Sequence, residues 1–402
     1  MWVLVVMLAA TVAVAVLAAR TGVPASVGLV LVGLLVSVLW SGGGLPIAPG
    51  LLLAIVLPGL VFEAAFRTDL AVLRPSAGAI LVLAIPGVIA VAAVVAVVLS
   101  LTTGLSLTEG FLVGAMVAAT DPAAVLSTFR HAAVAPRLAT MVEMESLVND
   151  GTGIVLFALA VELLGGHGTI AGSLVVFAVA VIGAGALGIG AGWLAARIVA
   201  RVDDHLAELT ISAVLAYGAY LAAEAAGLSG VIATLTAAGT FGALARDGLT
   251  PRAIDAIDVV WEFAAFVLTA GVFLLVGVSI SASALVSAAG AIGWGIGAIL
   301  IARAAVVYGV VGGGSAIVGR VARARGRAFA WAEAIPGPWL HVLFWAGLRG
   351  AVSVALALSL PDALPNRELI QGVTFGIVLF TLIVQGTSAG WLIRRSGAST
   401  AT

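Results

Sequence analysis

Several polar side chains that could coordinate a cation lie together in a strongly apolar part of the sequence. They occur in the segment Glu-Ser-Leu-Val-Asn-Asp-Gly (145–151). Residues four apart share one face of a helix, so Ser146 lies one turn from Asp150. By the same spacing Glu145 lies one turn from Asn149. Carboxylate, amide and hydroxyl oxygens are hard ligands, which suit a small alkali cation as they suit calcium and magnesium. The segment therefore predicts a cation site, with a polar hydrogen-bond network between helices as the alternative.

Two other apolar stretches are interrupted near their centres by residues that break helices. Thr120, Asp121 and Pro122 stand in one stretch, and Gly-Leu-Arg-Gly (347–350) stands in the other. Proline removes a backbone donor and clashes with the preceding turn, which frees carbonyl groups that need other partners. Paired breaks are typical of transporters with inverted repeats, whose sites form at interrupted helices. We expect Arg349 and Asp121 to neutralise half-helix ends where the stretches cross; a simple proline kink is the alternative.

The composition indicates a membrane protein. Of the 402 residues, 62% are hydrophobic and 9% are charged, and the mean hydropathy is +1.25. Soluble domains average roughly half apolar and a quarter charged residues. The net charge of −1 and the lack of a basic tail argue against nucleic acid as a partner. The sequence has no cysteine, which excludes disulfides and a thiol nucleophile within it. The lipid bilayer is therefore the expected surrounding.

A membrane-spanning helix needs about 20 predominantly apolar residues. The sequence predicts thirteen such runs, and hence an all-α polytopic membrane protein. Numbered in chain order, the runs cover residues 2–19, 25–40, 48–66, 77–101, 109–128, 138–164, 169–197, 206–225, 229–245, 254–279, 284–318, 338–360 and 369–393. The glycine-rich stretch 185–192 lies inside run 7, so it predicts close helix packing and not a nucleotide-binding loop. We expect no soluble regulatory domain after run 13.

The arginines predict the orientation of these runs, because cytoplasmic loops carry an excess of positive residues. Fifteen of the eighteen basic residues follow odd-numbered runs, whereas Arg367 follows an even-numbered run and two others lie within runs. We therefore expect the amino terminus outside the cell and the carboxyl terminus in the cytoplasm. Runs 4 to 6 and runs 11 to 13 then have opposite orientations, as inverted repeats require. The interrupted runs 5 and 12 are their central members.

Among the other charged residues within runs, three bear on the site. Arg303 in run 11 needs a partner at membrane depth, and Glu145 is the best placed one if runs 6 and 11 touch. Glu63 lies near the cytoplasmic end of run 3, where it either lines an inner approach to the site or faces water. Glu262 lies near the start of run 10, and we interpret it as an interfacial anchor.

Four motifs give the sequence a resemblance to the monovalent cation:proton antiporters, and among them to the sodium/proton exchanger branch of the NhaP type. They are Leu-Pro-Gly-Leu-Val-Phe-Glu-Ala-Ala-Phe (57–66), Ala-Thr-Asp-Pro-Ala-Ala-Val (119–125), Glu-Ser-Leu-Val-Asn-Asp-Gly-Thr-Gly (145–153) and Gly-Leu-Arg-Gly-Ala-Val-Ser (347–353). They keep the order and helix placement of the family. The resemblance implies a thirteen-helix fold with crossed, interrupted helices, in which a mobile core moves against a scaffold that forms a homodimer. The single transmembrane unit 1–402 would comprise core helices in 77–164 and 284–393, and scaffold helices in 1–76 and 165–283.

The same resemblance implies a role for each polar residue. Asp150 would bind a cation and a proton in turn. The implied sodium ligands are Asp150, Asp121, Ser146, the Thr120 backbone and Glu63. Asn149, in place of a second carboxylate, is similar to the electroneutral exchangers, which move one cation for one proton. Arg303 would pair with Glu145, and Arg349 would stabilise the helix crossing.

We therefore expect a secondary antiporter of the inner (plasma) membrane that exchanges sodium or lithium for protons and has no resident cofactor. A buried carboxylate can be neutralised by a proton or by a sodium ion, though not usefully by both, and exchange follows from that competition. Potassium/proton exchange on the same scaffold stays open, because cavity size sets alkali selectivity. An intramembrane enzyme is disfavoured since no serine/histidine or paired-aspartate protease signature is evident. A channel is disfavoured because paired breaks in inverted repeats indicate a two-state carrier.

Overall fold

The computed structural model describes residues 2–21, 24–39, 49–131, 134–166, 170–245, 249–280, 282–325 and 334–398. These parts of the chain are helical and form no β-strand. In chain order the α-helices are α1 (Trp2–Thr21), α2 (Ala25–Leu39), α3 (Pro49–Arg67), α4 (Leu70–Leu73), α5 (Ala77–Ala84), α6 (Pro86–Thr102), α7 (Leu107–Ala118), α8 (Ala123–His131), α9 (Pro136–Leu164), α10 (Ile170–Val199), α11 (His205–Ala225), α12 (Gly230–Ala245), α13 (Pro251–Ser279), α14 (Ala282–Ser287), α15 (Ala289–Ala304), α16 (Gly313–Arg325), α17 (Gly337–Trp345), α18 (Ala351–Leu358), α19 (Arg367–Phe380) and α20 (Thr387–Ser396).

Three short stretches join consecutive helices without ending the helical path. Arg74–Ser76 is a 3₁₀ turn between α4 and α5, and Ala305–Gly312 and Thr381–Gly386 are π-helical. Each π-helical stretch links two α-helices of one predicted run, α15 to α16 and α19 to α20. Such π segments inside longer helices occur frequently at functional sites.

By length and apolar composition, seven helices among the described residues can span a membrane. They are Ala71–Thr102, Pro136–Leu164, Gly172–Val199, His205–Ala225, Pro251–Ser279, Ala289–Val321 and Arg367–Ser396. Shorter apolar helices cover Met7–Ala18, Ala25–Ser37, Leu107–Ala118 and Gly230–Ala245. Together with α3 and the pair α17 and α18, these helices occupy all thirteen predicted runs. The all-α membrane fold is confirmed. Several boundaries differ from the prediction, since helices such as α16 continue past the apolar run into polar sequence.

The two predicted breaks interrupt helices as expected. Run 5 is divided into α7 and α8 by residues 119–122, and run 12 is divided into α17 and α18 by residues 346–350. The breaks meet, because the backbone N–H of Asp121 donates to the carbonyl oxygen of Leu348 at 2.8 Å. The crossed, interrupted helices predicted from the sequence are therefore confirmed.

The surface and the helix contacts both suit a lipid environment. Large apolar side chains such as Ile182 and Phe263 are 71% and 67% exposed on the outside of the bundle. Within it, α10 packs closely on α12: a Cβ at Gly188 or Gly192 would collide with the backbone of α12. Small residues permit such close approach where no hydrophobic drive exists between helices. The glycine-rich stretch therefore serves packing.

Candidate ion-binding site at the helix crossing

Polar side chains of α9 form hydrogen bonds with the interrupted segment between α7 and α8. Asn149 is fully buried, and its Oδ1 accepts a hydrogen bond from the Thr120 backbone N–H at 3.0 Å. Its Nδ2 donates to the Thr120 hydroxyl oxygen at 2.6 Å. The Ser146 hydroxyl, one turn from Asp150, donates to the Thr120 carbonyl oxygen. Backbone groups that the break removes from the helix are thus satisfied by side chains of α9.

Asp121 connects the amino-terminal ends of two half-helices. Its Oδ1 accepts from the Ala123 N–H at 3.0 Å, at the start of α8. Its Oδ2 accepts from the Ala351 N–H at 3.4 Å, at the start of α18. Helix amino termini carry partial positive charge, so a carboxylate between two of them is stabilised. A Cβ at Gly350 would collide with the Asp121 carboxylate, which is why glycine suits that position.

Two buried arginines satisfy the opposite, carboxyl-terminal ends of the interrupted helices. Arg349 is 1% exposed, and its Nη1 donates to the carbonyl oxygens of Ala118 and Ala119 at 2.7 and 3.2 Å, at the end of α7. Arg303 Nη2 donates to the Leu343 carbonyl oxygen at 2.8 Å, near the end of α17. Helix carboxyl termini carry partial negative charge, so each guanidinium stabilises the end it contacts.

Arg303 also forms a buried ion pair with Glu145. Arg303 Nη2 lies 3.0 Å from Glu145 Oε2, and Nη1 contacts Oε1. This two-point arrangement matches the planar guanidinium to the carboxylate. Runs 6 and 11 therefore touch at this pair, and the charge of Glu145 is balanced by Arg303.

The Asp150 carboxylate, by contrast, has no bonding partner in the part of the chain that the structure describes. Among the described residues, none forms a hydrogen bond or an ion pair with it. Asp121 is near enough to repel it electrostatically. Both side chains are partly buried, and two carboxylates that repel each other away from bulk water favour the binding of a neutralising proton or cation.

A cavity of about 490 Å³ leads to Asp150. Five of the predicted site residues line it: Thr120, Asp121, Ser146, Asp150 and Glu63. The remaining ones, Asn149, Glu145, Arg303 and Arg349, lie behind this wall in the contacts described above. The predicted site residues thus fall into two groups: some face the cavity, and the others stabilise the point where the two interrupted helices cross. In particular, both polar atoms of the Asn149 side chain are engaged by Thr120.

Sequence reasoning missed a charged group at the rim of the cavity. Arg67 Nη1 lies 2.8 Å from Glu63 Oε1 and 3.5 Å from Glu262 Oε2. The spacing of four between Glu63 and Arg67 was a usable signal for the first contact. Glu262 lines the cavity, a position that its interpretation as an interfacial anchor did not include. Helix α13 begins at Pro251, before the apolar run, so Glu262 lies about three turns into the helix.

Comparison with known proteins agrees with this geometry. Residues 6–395 match the family described as "Sodium/hydrogen exchanger, transmembrane". The Na(+)/H(+) antiporter ApNhaP of Aphanothece halophytica is 35% identical over 360 residues, which cover 87% of this chain and 66% of that protein. The Na(+)/H(+) antiporter NhaS2 of Synechocystis is 32% identical over 394 residues, which cover 98% of this chain and 70% of that protein.

Among solved structures, the fold is similar to that of the sodium proton antiporter MjNhaP1 from Methanocaldococcus jannaschii. The TM-score is 0.75 at 20% sequence identity, with 98% of this chain and 97% of that chain covered. The chain spans about two thirds of the length of ApNhaP. Since the family match extends over nearly all of the sequence, the chain belongs to the transmembrane sodium/hydrogen exchanger family.

Proposed function

We propose that the protein is a secondary antiporter that exchanges sodium or lithium for protons by alternating access. The observation that carries this proposal is the uncommitted Asp150 carboxylate at the cavity, beside Asp121 and the interrupted helices. The names of the relatives ApNhaP and NhaS2, both Na(+)/H(+) antiporters, support it. The second carboxylate of the segment, Glu145, already has its charge balanced by Arg303.

Sodium and a proton compete for Asp150 in this mechanism. A sodium ion at the crossing is coordinated by the Asp150 and Asp121 carboxylates, the Ser146 hydroxyl oxygen and the Thr120 carbonyl oxygen. Glu63, on α3, contributes from the lining of the same cavity. Hard oxygen ligands of this kind replace part of the water shell of a small cation. A proton on Asp150 removes the charge that attracts the ion, so each ligand displaces the other.

The exchange is electroneutral, one cation for one proton, because only one carboxylate changes its occupant. Asn149 is neutral and holds Thr120, and Glu145 stays paired with Arg303. The core helices lie in 77–164 and 284–393, and they move against a scaffold in 1–76 and 165–283. The scaffold forms a homodimer. The cavity side on which α3 ends at Arg67 faces the cytoplasm, in line with the distribution of the arginines.

The test is a proton-gradient dequenching assay in everted membrane vesicles, with sodium, lithium and potassium added separately. Sodium and lithium are expected to dequench the wild type, and Asp150→Asn is expected to abolish the response while the protein remains folded in size-exclusion chromatography. Asp203→Asn is the matched control, because Asp203 is exposed outside the cavity. Dequenching by potassium alone would show that the transported cation is potassium and not sodium or lithium. No response between about pH 6 and 9 from folded protein would refute the antiporter function.

A further inference from the structure

A guanidinium group lies between two carboxylates at the rim of the cavity. Arg67 Nη1 is 2.8 Å from Glu63 Oε1 on its own helix and 3.5 Å from Glu262 Oε2 on α13. Asp258, one turn before Glu262, adds a further attractive charge for Arg67. The Arg67 side chain is 42% exposed, and that of Glu262 is 56% exposed. The same guanidinium nitrogen is therefore within reach of both carboxylates.

Glu63 is the partner that matters for ion binding. Its side chain is only 18% exposed, and it lines the cavity together with Asp150 and Asp121. The oxygen that accepts the Arg67 hydrogen bond belongs to the carboxylate that α3 offers to the cation. A guanidinium carries a fixed positive charge and has no acceptor, so it satisfies Glu63 in the way that a cation would.

The ion pair between Arg67 and Glu63 is weak enough for Arg67 to change its partner. An ion pair between residues four apart on a helix is weak where it is open to solvent, as this one is on the Arg67 side, and the long arginine side chain retains several rotamers. Glu262, with Asp258 beside it, provides a second negative position for the guanidinium close to the first. Arg67 can thus leave Glu63 without losing all of its charge compensation.

We propose that Arg67 is a tethered competitor of the transported cation. It binds Glu63 before a cation enters from the rim, and it moves to Glu262 when the cation takes its place at Glu63. Arg67 thereby sets the apparent affinity for the cation from this side, and Glu262 tunes that affinity as the alternative partner. The proposal rests on the antiporter function proposed above. Arg67 and Glu262 are positioning residues, since they act through Glu63.

Two substitutions should change the apparent affinity in opposite directions. Arg67→Gln removes the competitor, so the sodium concentration for half-maximal dequenching should fall about two- to fivefold, as expected for loss of a weak ion pair. Glu262→Gln removes the alternative partner, so Arg67 stays on Glu63 and the half-maximal concentration should rise by a similar factor. The maximal response should change little in both, because neither residue contacts Asp150 in the structure.

The double variant separates this competition from a general effect of charge at the rim. If the two residues act only through long-range electrostatics, the effects add, and Glu262→Gln raises the half-maximal concentration equally with or without Arg67. If Glu262 acts by holding Arg67, Glu262→Gln has no effect once Arg67 is glutamine. The double variant is therefore expected to behave like Arg67→Gln alone.

The experiment measures sodium titrations of wild type, both single variants, the double variant and Arg197→Gln in everted vesicles at one pH. Arg197→Gln is the matched charge control: Arg197 lies at the end of α10, exposed and stacked over Trp193, outside the cavity. Arg67→Lys should stay close to wild type, because it keeps the positive charge near Glu63. An unchanged or raised half-maximal concentration in Arg67→Gln, or additive effects in the double variant, would overturn the proposal. Absence of a sodium response in the wild type would instead refute the sodium/proton exchange proposed above.

Discussion

Asn149 and Thr120 are joined by two hydrogen bonds of opposite sense, one from the Thr120 N–H and one to the Thr120 hydroxyl oxygen. Both residues are buried, Asn149 at 0% and Thr120 at 4% exposure. The amide therefore fixes the backbone at the break, in the place where the Thr120 carbonyl oxygen must be presented to a cation.

Replacing Asn149 with alanine should destabilise the crossing. It leaves the buried Thr120 N–H and hydroxyl without their partner, and an unsatisfied buried group costs about 1–3 kcal/mol. We expect a lower thermal unfolding midpoint in detergent and a higher half-maximal sodium concentration. Thr120→Ser keeps the hydroxyl and the backbone, so it should stay near wild type in both measurements. An Asn149→Ala protein with the wild-type midpoint would contradict the role of these bonds.

The Glu145 and Arg303 pair should respond more strongly to single than to paired substitution. Removing one partner leaves an uncompensated buried charge, which costs about 3–5 kcal/mol. We expect Glu145→Gln and Arg303→Gln to lower the unfolding midpoint markedly, and the double variant to recover part of the loss. Differential scanning fluorimetry of the purified proteins measures this. A double variant destabilised by the sum of the two single effects, or by more, would argue against a direct pair.

Gly350→Ala should abolish or strongly reduce transport, because a Cβ at this position collides with the Asp121 carboxylate. Either Asp121 or the start of α18 must then shift. Gly337→Ala, at the start of α17 in the same interrupted segment, meets no neighbouring atom among the described residues and is the matched control. Sodium dequenching in vesicles measures both. Full activity in Gly350→Ala would show that Asp121 can move without loss of function.

Acid on the cation-loading side should inhibit exchange by competition. A proton on Asp150 excludes the cation, so lowering the pH raises the half-maximal sodium concentration and leaves the maximal response at saturating sodium unchanged. Once Asp150 is mostly protonated in the absence of sodium, each pH unit should raise that concentration about tenfold, since one proton competes with one cation. Sodium titrations at several pH values test this. A half-maximal concentration independent of pH would exclude competition at a single carboxylate.

Much of the fold could be predicted because the relevant patterns are local in the chain. Apolar length predicts helices in a bilayer, and helical periodicity placed Ser146 one turn from Asp150. Breaks at Pro122 and Gly350 predicted interrupted helices, since neither proline nor glycine favours a helix interior. A charge at membrane depth requires compensation, which is why the sequence predicts Glu145 as the partner of Arg303.

Only the tertiary structure decided which of the candidate site residues line the cavity and which stabilise the helix crossing. Asp121 and Leu348 are far apart in the chain, and only packing brings Asp121 between the starts of α8 and α18. The sequence by itself placed Asn149 among the ion-binding residues, whereas the structure turns its amide to Thr120. By sequence Arg67 is one of the arginines that follow odd-numbered runs, and only the approach of α13 brings it close to Glu262. Periodicity determines which residues share a helix face, but the neighbour of that face depends on contacts between distant segments.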